Sequence, residues 1–534
     1  MLNANLVHLG VAGAVGQRLE RLAPDQRAAA TAPPGPVLCV APAGSGKTTT
    51  VVARLAWRVA NGADPATVCA LTFNRAAAEE LQERADAALV ELGLVAGSVR
   101  ARTFHALGRQ ILADSGTDVS RIAERSEVLA ELAGGSLAPA RLRYLDDAFT
   151  RMKLDPERGP PEDDTETRAL FAAYQEHLRG HGSIDLDDLV ALAGPALRSD
   201  AGLLARWRAR TAVLFVDEAQ DLDKTQLELA LLLAGERRDI FLVGDDDQTI
   251  YAWRLADVRR VLGLATRLPG LRRVDLETNH RCAPEVVRRA ARLVEHNEER
   301  FAKRILASPR NSGAVQLLPD PGDEVARARL LLATWYRESP GESHAILART
   351  NRELLPYAAV ALELRLRHRA AQDGLLWPSQ TAMEALARAD PRLPLLLAVS
   401  RAAARAGVSA TETSALLGWA AACRDIAELC TTLAERAEAH RARQTDDAAL
   451  TLATAHGTKG LEWDHVACIG HDEGAFPSGR ALRETDDPRR VLEEERRLAY
   501  VAWTRARKTL TIVYDPGAPS TFVLEAFDRE ELPG

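Results

Sequence analysis

The segment Val37 to Thr50, V-L-C-V-A-P-A-G-S-G-K-T-T-T, restricts the possible fold more than any other stretch of the chain. Four β-forming residues run into a loop of small residues, and Lys47 and Thr48 then open a segment striped with Val51, Val52, Leu55 and Val59. Strand, glycine loop and helix in that order make a phosphate-binding loop. Gly44 and Gly46 let the backbone curl so that successive N–H groups face one anion, and the helix N-terminus adds its dipole. Lys47 places a cation near the β and γ phosphates, and Thr48 offers a hydroxyl to Mg2+. Ala41 stands where the usual pattern has its first glycine, so the match is G-x-G-K-T with one position relaxed. The rival is a glycine-rich turn before an ordinary helix, and the rest of the chain has to decide.

At 534 residues the chain is too long for one core, which predicts two to four domains. A hydrophobic content of 46% and a charged content of 27% are those of an ordinary globular protein. The net charge of −7 argues against indiscriminate polyanion binding, but 68 Lys and Arg residues are enough to furnish a local basic groove. Six scattered cysteines without a C-x-x-C predict buried thiols rather than a zinc or iron–sulfur site. Leu6 to Val15 lacks the basic flank of a signal peptide, and no run approaches the roughly 18 apolar residues of a membrane span. The expectation is a cytoplasmic protein with no membrane partner.

Along the chain, Gln26 precedes the loop with an amide able to meet the edge of a base. Val68 to Phe73 reads as a second buried strand, followed by a helix opening at Asn74, and T-F-H-A-L-G from Thr103 follows another short extended piece. Strands alternating with helices predict a parallel α/β sheet. From about Gln110 to Arg210 the pattern is helical, an insertion into that sheet. The sheet resumes at Ala212 to Val216 and delivers D-E-A-Q-D at its tip, where Asp217 would hold a metal and Glu218 would orient or deprotonate a water. Ile240 to Val243 then ends in G-D-D-D-Q, and T-I-Y-A-W-R follows directly. Gln248 can sense a γ-phosphate there. Tyr251, Trp253 and Arg254 form the aromatic-plus-arginine combination that stacks single-stranded bases, worth roughly 1–3 kcal/mol per base. A second α/β half is read from about Val274, with a second helical, Ala-rich stretch from about Leu366 to Asp447.

The ordered set L-A-P-D-Q, A-P-A-G-S-G-K-T, L-T-F-N-R-A-A-A, T-F-H-A-L-G, V-D-E-A-Q-D, V-G-D-D-D-Q-T-I-Y-A-W-R, N-H-R-C, T-A-H-G-T-K-G-L-E-W and E-E-E-R-R-L-A-Y-V-A-W-T-R-A resembles the UvrD/Rep/PcrA-type superfamily 1 DNA helicases. The resemblance runs from about residue 20 to 525. It implies an α/β fold of two RecA-like P-loop domains with parallel sheets, each carrying a mainly helical insertion. Domain 1A would span 1–105 and 209–273 around a 1B-like insertion at 106–208. Domain 2A would span 274–365 and 448–534 around a short 2B-like insertion at 366–447.

The resemblance also implies roles. ATP with Mg2+ would be held by Gln26, Ala43, Gly44, Ser45, Gly46, Lys47, Thr48, Thr49, His280, Arg281, Glu462 and Arg505, with Thr48 and Asp217 on the metal. Lys47, Asp217, Glu218, Gln248, Arg281 and Arg505 would be catalytic, the two arginines as fingers and Glu462 at the ribose. Single-stranded DNA would run along Phe73, Asn74, Thr103, His105, Tyr251, Trp253, Arg254, Arg349 and His456. The implied activity is ATP-driven translocation, 3′ to 5′ in the family, coupled to unwinding of tailed duplex DNA. Three departures stand out: His280 replaces the usual Tyr before Arg281, the second insertion is short, and the chain ends soon after Phe522 with no room expected for an attached nuclease. Two other readings stay open. One is a DNA-stimulated translocase subunit serving a nuclease or repair partner; the other is an ATP- and DNA-binding regulatory switch.

Overall fold

The computed structural model describes residues 13–532 except 136, 237, 320–321, 371–377, 379, 409, 422, 444 and 446. It divides into two units, the first running to Asn279 and taking back Glu299–Ile305, the second made of His280–Glu298 and the chain from Leu306 onward.

The first unit is built on β1 (Val37–Val40), β2 (Val68–Thr72), β3 (Arg100–Thr103), β4 (Val213–Val216), β5 (Ile240–Gly244) and β6 (Arg272–Asp275), in the order β3-β2-β4-β5-β1-β6. Every pairing is parallel. The short apolar runs make sense in this position, because a parallel sheet covered on both faces buries both alternating sets of side chains. Val37, Cys39, Val213, Phe215, Phe241 and Val243 go to one core, while Leu38, Val40, Leu214, Val216 and Leu242 go to the other. Each large apolar side chain so buried contributes about 1.5–3 kcal/mol.

The helical stretch between β3 and β4 is not a single body. Leu107 and Ile111 near its start, and Val190, Leu197, Leu203 and Trp207 near its end, belong to the core of the sheet itself. The middle has a separate core, of Val128, Leu129, Leu145, Phe149, Tyr174 and Leu178. An ionic hub ties this middle together. Arg125 pairs with Asp146, Asp185 and Asp187, and Lys153 with Asp185 and Asp188 at 2.8 Å. Helical periodicity identifies the apolar face of such a helix but not what covers it.

The second unit has a sheet of β7 (Ala314–Pro319), β8 (His344–Ala348), β9 (His368–Ala370), β10 (Leu450–Thr454), β11 (Trp463–Cys468) and β12 (Ala506–Tyr514), all parallel in the order β9-β10-β8-β11-β12-β7. Helices from Gln380 to Arg443 pack around their own core, which includes Leu386, Val399, Leu416, Leu429 and Leu433.

Two sequence expectations need correction. The second half does not begin at Val274: that residue lies in β6 and pairs with Cys39 of β1, so the first unit continues to Asn279. Residues 366–447 are not wholly helical either, because β9 adds to the edge of the second sheet with His368 opposite Leu450. Both strands are short and lack an apolar run, and their pairing is non-local.

Gly108 explains part of T-F-H-A-L-G. A Cβ there would lie 1.9 Å from the carbonyl oxygen of Leu189, so the helix Phe104–Asp114 packs backbone to backbone at this point. Gly108→Ala is expected to cost about 1–3 kcal/mol by overpacking, seen as a lower thermal midpoint. Gly180→Ala is the control, because its Cβ would meet nothing within 4 Å. Equal midpoints for the two variants would refute the close-approach explanation.

Candidate active site and nucleic-acid interface

The loop after β1 curls as its glycines require: Gly44 has φ +70° and Gly46 φ +82°, both in the left-handed region. Gly46 caps the helix Lys47–Ala60, in which Lys47 and Thr48 are the first two residues and Thr49 is exposed. Ala43 and Ser45 are buried, and the Ser45 hydroxyl has no hydrogen-bond partner. Gln26 is buried above the loop, its Nε2 donating to the Ser45 carbonyl at 2.8 Å while its Oε1 accepts from the Ala23 N–H. A Cβ on Gly46 would fall 2.5 Å from that Nε2. The cradle, the adjacent cation and the unpaired hydroxyl fit a nucleotide phosphate chain. Thr48 and Asp217 are oxygen donors suited to its Mg2+.

Lys47 Nζ lies 3.0 Å from each oxygen of Glu218. Glu218 has φ +50°, a conformation that costs a non-glycine residue about 1–3 kcal/mol and persists only where its surroundings impose it. Here Lys47 holds one side of the carboxylate, and Gln220 Nε2 donates to Oε2 at 2.6 Å. Asp217, whose N–H continues the β4–β2 ladder by donating to the Leu71 carbonyl, accepts the Glu218 N–H on its Oδ1. Gln220 is buried, and its Oε1 accepts the Asp245 N–H at 3.1 Å. Asp245 Oδ2 in turn receives Gln248 Nε2 at 2.7 Å. One hydrogen-bonded path thus joins Lys47, Glu218, Gln220, Asp245 and Gln248, across the tips of β1, β4 and β5. Gln220 was not singled out from the sequence, although its place two residues beyond Glu218 was the available signal.

A second group lies close by in sequence. Phe73 and Tyr251 stack with centroids 5.4 Å apart and planes 7° from parallel, and Trp253 meets Tyr251 edge-on at 6.1 Å. The Arg254 guanidinium lies 4.6 Å from the Trp253 ring and 5.7 Å from Phe73. Trp253 is 61% exposed, which argues against a role as a core anchor. Asn74 and Thr103 have local duties, capping the helices Arg75–Val90 and Phe104–Asp114. His105 is half-buried, and burial with help from Arg254 lowers its pKa against the opposing pull of Asp187.

In the second unit Arg281 forms an ion pair with Glu462, which also pairs with Arg507. Arg281 Nη1 reaches the Thr504 carbonyl at 3.5 Å, one residue before Arg505. Arg505 is 2% exposed, with Nε on the Val501 carbonyl and Nη1 on that of Leu461. Two arginines expected from separate motifs, and the glutamate expected at the ribose, are therefore neighbours. Burial alone would raise the Glu462 pKa, but Arg281 and Arg507 outweigh it and hold the carboxyl below its ordinary value. His280 is exposed. Arg349 forms a forked pair with Glu495 at 2.7–3.0 Å, and the His456 pKa is pushed down to about 4 by burial and by Arg349. His456 is consequently neutral near pH 7. Arg507 and Glu495 were not recognised from sequence, since both stand in charge-rich segments.

A parallel sheet whose first strand feeds a glycine cradle, with a carboxylate pair beyond a neighbouring strand, defines a P-loop nucleoside triphosphatase, and the two sheets are those of RecA-like domains. Residues 22–269 match the UvrD/REP helicase N-terminal domain, and residues 418–516 match the UvrD-like helicase C-terminal domain. The ATP-dependent DNA helicase UvrD2 of Mycobacterium tuberculosis is 32% identical, over 91% of this chain and 77% of its own length. DNA helicase II of Escherichia coli is 26% identical over 94% and 85%, and the ATP-dependent DNA helicase PcrA of Leuconostoc citreum 26% over 89% and 79%. The chain belongs to the UvrD/Rep helicase family, and its enzyme class is that of the ATP-dependent DNA helicases.

Gln220→Leu removes both hydrogen bonds that tie Glu218 to Asp245. Steady-state ATPase assays are expected to give a turnover number about tenfold or more below wild type, since small misplacements of catalytic groups have effects of that order. An unchanged turnover number would show that Glu218 is positioned without Gln220.

Proposed function

We propose that this protein is an ATP-driven motor that moves along single-stranded DNA, 3′ to 5′, and separates the strands of tailed duplexes. The observation that carries this reading is the hydrogen-bonded path from Lys47 to Gln248, with Tyr251, Trp253 and Arg254 beginning three residues further on and Phe73 stacked on Tyr251. The end of that path, Asp245 and Gln248, and the Tyr251, Trp253 and Arg254 side of the cluster thus share the stretch of chain after β5.

In this reading Ala43 to Thr49 cradle the phosphates, Lys47 neutralises them, and Thr48 and Asp217 take the Mg2+, which supplies charge compensation when bound. Gln26 and His280 lie against the base, and Glu462 meets the ribose. Glu218 orients or deprotonates the attacking water and Gln248 senses the γ-phosphate. Arg281 and Arg505 serve as arginine fingers, a contribution of roughly 10³–10⁵ in rate for such groups. Each finger must first leave its present partner, Glu462 for Arg281 and the Leu461 and Val501 carbonyls for Arg505. Asn74, Thr103, His105, Arg349 and His456 extend the strand path from the aromatic cluster. The proposed division is domain 1A at 1–105, 209–279 and 299–305, with domain 2A at 280–298 and from 306 onward, and helical insertions within 106–208 and 366–447.

The test is steady-state ATP hydrolysis with and without oligo(dT), alongside Glu218→Gln. Strong stimulation that disappears in the variant is expected, followed by unwinding of a 3′-tailed duplex and not of a 5′-tailed one. A slow rate indifferent to DNA would overturn the autonomous motor and favour a subunit that needs a nuclease or repair partner. Trp253→Ala should weaken oligo(dT) binding by about 1–3 kcal/mol, measured by fluorescence anisotropy, with hydrolysis in the absence of DNA retained. Unchanged affinity would remove Trp253 from the strand path.

A further inference from the structure

The side chain of Lys303 is fully buried, and so are the three carboxylates it faces. Its Nζ lies 2.7 Å from Asp245 Oδ1, 2.5 Å from Asp246 Oδ1 and 2.8 Å from Asp247 Oδ2. Arg300 adds a fork on Asp247 at 3.0 and 2.8 Å, and the Phe301 N–H donates to Asp246 Oδ2 at 2.8 Å. Buried charges persist only when paired and hydrogen-bonded, so an arrangement this complete is costly to disturb. The three aspartates occupy the turn between β5 and Gln248.

The distribution of contacts says more than the charge balance. Lys303, Arg300 and the Phe301 N–H engage five of the six carboxylate oxygens. The sixth, Asp245 Oδ2, receives Gln248 Nε2. The residues doing this come from Glu299–Ile305, which belongs to the first unit although the chain on both sides of it belongs to the second. Phe301 of this segment packs against the core of the first sheet, while Lys303 and Arg300 turn to the three aspartates.

We propose that Lys303, seconded by Arg300, is a positioning residue for the γ-phosphate sensor: it clamps Asp245 to Asp247 so that Gln248 is presented in one orientation, and thereby sets how strongly DNA accelerates ATP hydrolysis. This rests on the reading given under Proposed function. Burial pushes the Asp246 carboxyl up to about 6 against the pull of Lys303, with Asp247 and Asp245 adding to the rise. The Asp247 carboxyl, also raised by burial, is brought below its ordinary value by Lys303 and Arg300. Loss of the lysine alone would therefore leave carboxylates competing for protons, and a charge-balanced variant makes the cleaner test.

Lys303→Met combined with Asp246→Asn removes one cation and one anion and keeps the charge of the cluster, while Arg300→Lys keeps the charge but gives up the fork. For each variant, ATPγS affinity, ATP turnover as a function of oligo(dT), and thermal unfolding are measured. The expected result for the double variant is ATPγS affinity within about threefold of wild type, with oligo(dT)-stimulated kcat reduced about tenfold or more. Arg300→Lys should show a smaller fall in the same direction, and it decides alone if the double variant does not fold. Full stimulation in a folded variant overturns the proposal, as does a loss of ATPγS affinity parallel to the loss of kcat, the mark of a merely structural role. If wild type itself shows no stimulation, the motor reading fails separately. The clamp is then judged on kcat without DNA, where a fall in the variants supports it and no fall overturns it.

Discussion

Parallel strand pairing is the constraint on which the rest of this structure depends. In the first sheet it brings the carboxyl ends of neighbouring strands to one edge, and each strand hands over to a different part of the site. β1 leads into the glycine cradle, β2 into Phe73 and Asn74, and β3, ending at Thr103, into His105. β4 leads into Asp217 and Glu218, and β5 into Asp245 to Gln248. Reversing any one of them would carry its residues to the far side of the sheet. The second sheet uses the same rule differently. Arg349 and His456 follow β8 and β10, whereas Glu462 and Arg505 immediately precede β11 and β12. In this sheet the residues proposed for the DNA path follow the carboxyl ends of their strands and those proposed for the nucleotide precede the amino ends of theirs, with Arg281 joining the latter through Glu462 and the Thr504 carbonyl.

A site built this way carries buried charge and strained backbone, and both are held locally. Glu218 stays in the left-handed region because its carboxylate is fixed by Lys47 and Gln220, and its own N–H by Asp217. The same contacts hold the carboxylate beside Lys47, the cation at the end of the glycine cradle. Arg281 and Glu462 show the complementary arrangement. Arg281 is held by an ion pair with a carboxylate side chain that is itself shared with Arg507. Arg505 is more firmly placed, because its partners are main-chain carbonyls in a buried setting.

What could be read from the sequence was whatever is encoded within a few residues. The cradle, the D-E pair and Y-A-W-R each announce themselves by spacing, because strand, turn and side chains are adjacent in the chain. Pairings across long separations were not legible. β6 looks like the opening of a new domain until it is seen against β1, and His368–Ala370 has too few residues to register as a strand. Lys303 is the clearest case. In E-E-R-F-A-K-R it reads as one charge among several on a solvated surface, and only the fold shows it facing Asp245 to Asp247 more than fifty residues earlier. Charged residues are the hardest to place from sequence, since solvated and buried lysines have the same neighbours in the chain.

The stacked pair Phe73 and Tyr251 gives the turn after β5 its mechanical meaning. Phe73 directly follows β2, a strand held on both sides by β3 and β4, so its ring stands on the rigid part of the unit. Tyr251 stands three residues beyond Gln248, on the turn where Gln248 donates to Asp245. The two rings are nearly parallel, and the Arg254 guanidinium lies over Phe73 as well as Trp253. Any displacement of the turn relative to β2 must slide or open this stack, because one ring is attached to the end of β2 and the other to the turn. In the proposed motor, a small movement of the Gln248 turn would thereby change the aromatic surface offered to a base. The five-residue step from Gln248 to Trp253 leaves little room for the two side chains to move independently, which is the coupling the proposed motor needs.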